Sequence, residues 1–257
     1  MGASIAALCA DERLWAGTGR SAATCERAAA AGLTDVGTLA ALVERADVIV
    51  SVCPPGSAVD VAGQVVSAGF EGIYVDANAV SPSTVRSIAT RFPRFVDGGI
   101  IGPPAGAPGT TRLYLCGDEA EQVAELWQGT ALETRVIDGE VGAASAVKAC
   151  FASWTKGTAA LLLCIRALAR AEGVEADLLG EWARSSPDLA HQSERHASTT
   201  AAKAWRFVGE MDQLADAFAA HDLPDGFLRA AADVYDRLSG FKDRPGDLDS
   251  VLAALLA

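Results

Sequence analysis

Arg20 and Ser21 close a short apolar run, RLWAGTGRS, and open a helical pattern over 21–31. A guanidinium forks onto phosphate oxygens, a serine hydroxyl adds a hydrogen bond, and a helix N-terminus adds free amides and partial positive charge. In a dinucleotide-binding unit, an acid at the end of the second strand selects NAD. An arginine there accommodates the 2′-phosphate of NADP. Thr18, Gly19, Arg20 and Ser21 include no acid. The same residues also read more plainly, as an N-cap serine beside a solvated arginine. Only Gly2 stands where the last glycine of a G-x-G-x-x-G loop would fall. The first strand and the two earlier glycines of such a unit have no counterpart here.

Other reactive side chains are dispersed. His191 and His196 are five residues apart on an expected helix, so they do not share a face as an i, i+4 metal pair would. No metal is expected. Glu210, Asp212 and Asp216 in GEMDQLADAF read as a solvated helix face.

The elements that must position these groups change character near residue 140. Before it, DVIVSVC (47–53), GIYVDAN (72–78), RFVDGGII (94–101) and RLYLCG (112–117) are apolar on both faces, as strands buried in a parallel sheet are. Helical patterns separate them, one opening with a Ser81 cap and Pro82 in the first turn. Strand, helix, strand at this spacing means βαβ units and an α/β, Rossmann-type doubly wound sheet, its first strand missing. Beyond 140 the strands stop. Residues 142–174 read as one long helix, followed by helical patterns at 177–185, 188–220, 224–240 and 247–256, broken by SSPD, LPDG and DRPGD. The expected organisation is a cofactor-binding domain over 1–140 and an all-α domain over 141–257.

Composition removes several classes of function. A net charge of −12 and a pI near 4.7 oppose nucleic-acid binding, which needs a basic footprint. No apolar run reaches the roughly 18 residues of a membrane helix, and no secretory leader opens the chain. Six cysteines without a CxxC pair suit reduced thiols in a cytoplasm.

The chain resembles the β-hydroxyacid and 6-phosphogluconate dehydrogenase family. Met1-Gly2 matches the end of its glycine loop, GTGRS its arginine turn, and VIVSVCPPGSAVDVA its strand and proline loop. VDANAVSP matches its next strand end, and GAASAVK (142–148) its lysine helix. AKAWRFVGEMDQLADAF and LPDGFLRAAADVYDRL resemble the helical C-terminal domain of a less characterised branch.

The resemblance implies an NADP-preferring oxidoreductase acting on a small molecule, in homodimeric form, with hydride passing in a cleft between domains. It makes Lys148 the general acid/base. A lysine on an Ala/Val-rich helix face is desolvated and loses basicity, although it also reads as one snorkelling to the surface. Asn78 would touch the nicotinamide ribose or substrate, or would form an Asx turn. Cys53, Pro54 and Pro55 would line the adenosine side of the crevice, or simply end a strand.

Departures are specific. Ala152 replaces the Asn one turn after the lysine, and Thr155 stands where the phosphogluconate enzymes carry a glutamate. DGGIIGPP puts Gly98, Gly99 and Ile101 in the substrate loop, with Ile101 where a serine would hold a carboxylate. Lys156, with Ser153 and Trp154, is a further candidate for substrate contact. The substitutions point away from 6-phosphogluconate toward a more apolar carbonyl or imine. A second reading is a non-catalytic dimeric scaffold, or an N-terminally shortened form with an incomplete cofactor site.

Overall fold

A computed structural model describes residues 1–242 and 244–257; Asp243 of the DRPGD break lies outside them. The chain divides into two compact units, residues 1–149 and 150–257.

The first unit opens with α1 (Gly2–Ala6), β1 (Leu14–Trp15), α2 (Ala22–Ala30), β2 (Thr34–Asp35) and α3 (Leu39–Val43). β1 and β2 pair in parallel as a sheet of their own. The main sheet is built from β3 (Val48–Ser51), β4 (Ile73–Asp76), β5 (Phe95–Ile101), β6 (Thr111–Cys116) and β7 (Leu132–Val136), in that order. Its pairs are parallel except β5–β6. α4 (Ala58–Ser67), α5 (Pro82–Ala89) and α6 (Ala120–Glu125) complete the helices that lie wholly in the unit, and α7 (Ala143–Ala152) begins in it. Mixed α/β layering with a mostly parallel sheet and a helical C-terminal region is therefore the observed class. The antiparallel β6 departs from the expected all-parallel sheet because residues 102–110 return the chain directly, with no crossover helix. Among the described residues no strand pairs with both sheets, so β1–β2 stays separate from β3–β7.

Both faces of the main sheet are covered, which is why its strands carry apolar residues on both sides. Ile73, Val75, Val96, Leu113 and Leu115 pack with Ile5 of α1 and with Val123 and Trp127. Trp127 Nε1 donates to the Ile5 carbonyl at 2.8 Å, satisfying a buried indole. On the opposite face Ile49, Tyr74 and Phe95 meet Ala58, Ala62 and Val65 of α4 and Val85 and Ile88 of α5. Tyr74 and Phe92 stack at 4.1 Å. Ser81 caps α5 by accepting from the Thr84 amide, with Pro82 in the first turn.

The expected single helix over 142–174 is three segments: α7, a π-helical turn Ser153–Gly157, and α8 (Thr158–Ala171). Hydroxyls compete for the ladder there. Thr155 Oγ1 donates to the Phe151 carbonyl at 3.1 Å and Thr158 Oγ1 to that of Trp154, while the Lys156 carbonyl is taken by Tyr235 Oη at 2.7 Å. The second unit continues with α9 (Glu175–Ser185), α10 (Asp188–Thr200), α11 (Ala204–Ala219), α12 (Gly226–Arg237) and α13 (Leu248–Leu256). A short 3-10 turn at Ala201–Lys203 splits the helix expected over 188–220. Arg166, the one charge in the apolar stretch of α8, is buried and bonded to Ser193 Oγ and Glu175, each at 2.6 Å. It ties α8 to α9 and α10.

Gly99 is the point at which α7 meets β5. A Cβ there would fall 2.5 Å from the Ala144 carbonyl oxygen and 3.3 Å from Lys148 Cβ. Gly56 has open space around its missing Cβ and no positive φ. Gly99→Ala is expected to destabilise the chain by about 1–3 kcal/mol, as overpacking does, with Gly56→Ala within about 0.5 kcal/mol of wild type. Urea denaturation of both variants checks the contrast.

Candidate active site at the carboxyl edge of the sheet

Strand register creates a polar row under the site. Ser51 pairs with Asp76, Asp76 with Asp97, and Asp97 with Cys116. All four are buried, Asp76 at 1% and Asp97 at 0% exposure. Ser51, Asp97 and Cys116 each bond to backbone or side chains beyond the strand ends. Ser51 Oγ accepts from Asn78 Nδ2 at 3.0 Å, and Asn78 Oδ1 accepts from the Cys53 amide at 2.6 Å. The Asn78 amide donates to Asp76 Oδ1 at 3.0 Å, so the Asx turn here belongs to Asp76. Asn78 straps the loop after β3 to the loop after β4. Both polar atoms of the buried Asn78 side chain are thereby engaged.

Asp97 holds the helix that carries the lysine. Its Oδ2 accepts from the amides of Gly142 and Ser145, at 2.9 and 3.0 Å, and its Oδ1 from Ser145 Oγ at 2.6 Å. A carboxylate at the N-terminus of α7 satisfies orphan amides and opposes the helix dipole. Cys116 Sγ reaches the carbonyls of Gly139 and Glu140. Lys148 lies in the second turn of α7, half-buried, with Nζ donating to the Ile100 carbonyl of β5. Gly99 admits this close approach, while Gly98 admits Ala77, whose Cβ would be 3.1 Å from a Cβ at 98. The expected substrate-loop glycines thus lie at close backbone contacts, and Ile101 is buried in β5.

Burial governs the electrostatics. Desolvation pushes the Asp76 carboxyl up to about 6; the hydrogen bonds from Asn78 oppose this and the nearby Asp97 adds to it. Asp97 is raised by the same cause, against the bonds from Ser145 and Gly142. Desolvation also raises the Cys53 thiol, opposed by its Ser51 hydrogen bond and by the charge of Arg20.

Arg20 follows β1 in an exposed turn, and its guanidinium makes no hydrogen bond or ion pair with any described residue. Ser21 is the N-cap of α2 without a side-chain cap bond, its hydroxyl 3.0 Å from Thr24 Oγ1. Gly2 packs against Val52, 3.4 Å from where its Cβ would lie to Val52 Cβ. Cys53 and Pro55 are half-buried and Pro54 is exposed. The structure thus sets Gly2, Arg20, Ser21, Cys53–Pro55, Asn78 and Lys148 within the first unit. Lys156 is in the second unit, where it pairs with Glu210 and lies 4.5 Å above the Phe207 ring. Glu210 is 7% exposed, so the expected solvated face is corrected at this position. Its burial follows from packing of α11 beside α12, with Phe207 edge-on to Tyr235. Asp76 and Asp97 escaped the sequence reading; an acid inside an otherwise apolar strand was the available signal. Among the described residues no group of three or more His, Cys, Asp or Glu side chains could hold a metal ion.

Residues 169–238 match a family described as a domain of unknown function, DUF1932. A conserved protein of unknown function with structural similarity to 3-hydroxyacid dehydrogenases is 28% identical, with 93% of both chains covered and a TM-score of 0.67. In fold the chain is 3-hydroxyacid dehydrogenase-like. A 3-hydroxyisobutyrate dehydrogenase of Mycobacterium tuberculosis, solved with L-serine, shares the fold at 20% identity, covering 100% of this chain and 96% of that one, with a TM-score of 0.70. A reductive aminase of Aspergillus terreus, solved with NADPH, does so at 18% identity, with coverage of 91% and 88% and a TM-score of 0.51. An uncharacterized 28.5 kDa protein of Methanothermus fervidus is 32% identical over 142 residues, 54% of each protein. The chain thus spans about half the length of that curated relative.

Asp76 yields a pH prediction. A carboxyl raised from 3.8 to about 6 in the fold keeps a proton that the unfolded chain releases. Its stability contribution is full below about pH 4 and is lost as pH rises to about 6. Asp76→Asn keeps the acceptor for the Asn78 amide and carries no charge. At pH 8 it should be more stable than wild type by roughly 2–3 kcal/mol, with the gain vanishing near pH 4, as read by denaturation at both pH values.

Proposed function

We propose that the chain is an NADP-preferring oxidoreductase that moves hydride between nicotinamide and a small hydroxy-acid, carbonyl or imine substrate. The observation that carries this reading is the unpaired Arg20 guanidinium beside the N-terminus of α2, near enough to the loop after β3 for its charge to act on the Cys53 thiol. The donor set suits a dinucleotide with a 2′-phosphate. Arg20 would fork onto that phosphate, Ser21 Oγ would add a bond, and the first amides of α2 have no acceptor within the helix. Cys53, Pro54, Pro55 and Gly2 would line the remainder of its length. Nicotinamide, when bound, supplies or accepts the hydride.

Lys148 would donate a proton to the substrate oxygen or nitrogen during reduction and recover it in the reverse direction. The Ile100 carbonyl holds its ammonium at the carboxyl end of β5, and Asp97 fixes the helix from which it projects. Asn78 would act mainly by holding the Cys53 loop in place beside the nicotinamide ribose or substrate. The relatives' complexes with NADPH and L-serine support the ligand classes.

A scaffold role is the second reading. It is favoured by one observation, the separation of β1–β2 from β3–β7, which leaves the cofactor cradle without a strand at its centre. For assembly we propose a homodimer. Phe151, Trp154, Leu161 and Leu168 are exposed large apolar side chains at spacings of three and seven residues, a stripe that a second copy would bury. All six cysteines are free thiols, which supports a reducing, cytoplasmic setting. No described helix is long and apolar enough to cross a membrane.

Fluorescence titration should show NADPH binding roughly 10- to 100-fold more tightly than NADH, the worth of one or two charge-assisted bonds. Absence of binding for both would favour the scaffold. In a substrate screen, Lys148→Ala should cut turnover by roughly 10²–10⁴-fold with little change in NADPH affinity; unchanged turnover would remove the proton-transfer role. Leu161→Glu with Leu168→Glu should convert a dimer to monomer in sedimentation velocity, while an unchanged sedimentation coefficient would discard the stripe as the interface.

A further inference from the structure

Asp35 has no part in the site as described so far. It is the second residue of β2, in register with Trp15 of β1. A single carboxylate oxygen, Oδ1, accepts from the amides of both Gly17 and Gly37, at 2.9 and 2.8 Å. The Gly37 carbonyl in turn accepts from the Thr18 amide at 2.9 Å, and the Gly17 carbonyl from the Arg20 amide at 3.1 Å. Gly19 turns the chain between them with φ +77°. Of the hydrogen bonds that shape residues 17–20, the Gly17 bond ends on Asp35 itself. The Thr18 bond ends on the loop that Asp35 holds, and the Arg20 bond closes the turn internally.

The approach is tight. A Cβ on Gly17 would fall 2.2 Å from Asp35 Oδ2, so the carboxylate keeps this position only with glycine at 17. Asp35 is solvent-exposed, and water screens its charge. Its influence on the turn is therefore mainly geometric. Arg20 has no other restraint on its guanidinium, so the path of the backbone decides where that group can reach. A pre-set turn lowers the ordering cost of meeting an anion there.

We propose that Asp35 is a specificity-determining positioning residue. It sets the Gly17–Arg20 turn so that Arg20 and Ser21 meet a 2′-phosphate, and it thereby controls discrimination between phosphorylated and unphosphorylated dinucleotides without touching either. This rests on the cofactor reading above.

The test is a double-mutant cycle on the ratio of NADH to NADPH dissociation constants, measured by fluorescence for wild type, Asp35→Ala, Arg20→Ala, the double variant and Asp35→Asn. Asp35→Ala should lower the ratio roughly tenfold with NADH affinity little changed. It should have no further effect once Arg20 is gone. Asp35→Asn retains an acceptor oxygen for both amides and should keep the ratio within about twofold. Gly17→Ala, which pushes on the same carboxylate, should mimic Asp35→Ala and covers the case in which that variant does not fold. An Asp35→Ala effect of equal size in the Arg20→Ala background, or equal weakening of both dinucleotides, overturns the proposal. A wild type that discriminates through Arg20 while Asp35→Ala and Gly17→Ala leave the ratio intact overturns it alone. A wild type without discrimination removes the cofactor reading together with it.

Discussion

Four buried polar side chains in one row, Ser51, Asp76, Asp97 and Cys116, set the arrangement of the candidate site. A carboxylate inside a sheet is costly unless its oxygens are satisfied. Here the satisfaction comes from segments that must be positioned: the turn at Asn78 for Asp76 and the first turn of α7 for Asp97. Removing the row would leave the hydrophobic layers on both faces intact but release the loops that carry chemistry. The cost is local and visible in Asp76, whose Oδ2 is buried without a hydrogen-bond partner. Fold stability is given up at the position where the site is organised, a pattern common at functional edges.

The same logic separates what was legible in the sequence from what was not. β4 and β5 were plain because burial on both faces demands apolar residues at every position except the row. The Ser81-Pro82 start of α5 was plain because capping chemistry is local. β2 left no trace, since Thr34 and Asp35 are both exposed and bring no apolar pattern. β7, LETRV, buries chiefly Leu132 and reads as polar. The π turn was hidden because Tyr235, almost eighty residues away, takes the carbonyl of Lys156. Glu210 was hidden for a related reason: its burial depends on Lys156 and Phe207, and a carboxylate on a helix gives no local sign of a distant partner.

For the site, residue types were legible and roles less so. Arg20 and Ser21 lie where the strand-turn-helix pattern put them, because that pattern is local. Asn78 read as a ligand contact, but the register of β3 against β4 turns its amide toward Cys53 and Ser51. Gly98 and Gly99 looked like part of a substrate loop. In the fold their missing side chains let Ala77 and α7 close on β5, which is how Lys148 comes to reach the Ile100 carbonyl.

The break between β1–β2 and β3–β7 sets the energetics of any ligand at this edge. Two-residue strands joined only to each other contribute little independent stability, and β2 is exposed. The N-terminal pair is held to its unit instead by side-chain and helix contacts, such as Arg13 to the Ala7 carbonyl at 2.8 Å and the Arg45–Glu12 ion pair at 2.8 Å. Segments with few buried apolar contacts open at the lowest free energy. A dinucleotide that bonds to the Arg20 turn and to the Cys53 loop contacts both halves at once. Part of its binding free energy must then order the N-terminal pair, which lowers affinity for every such ligand alike. Discrimination between ligands escapes this loss, because an ordering cost shared by two dinucleotides cancels in their ratio. On the proposed cofactor reading, selectivity would lie in the turn that Asp35 braces, and affinity in how firmly the two sheets are held.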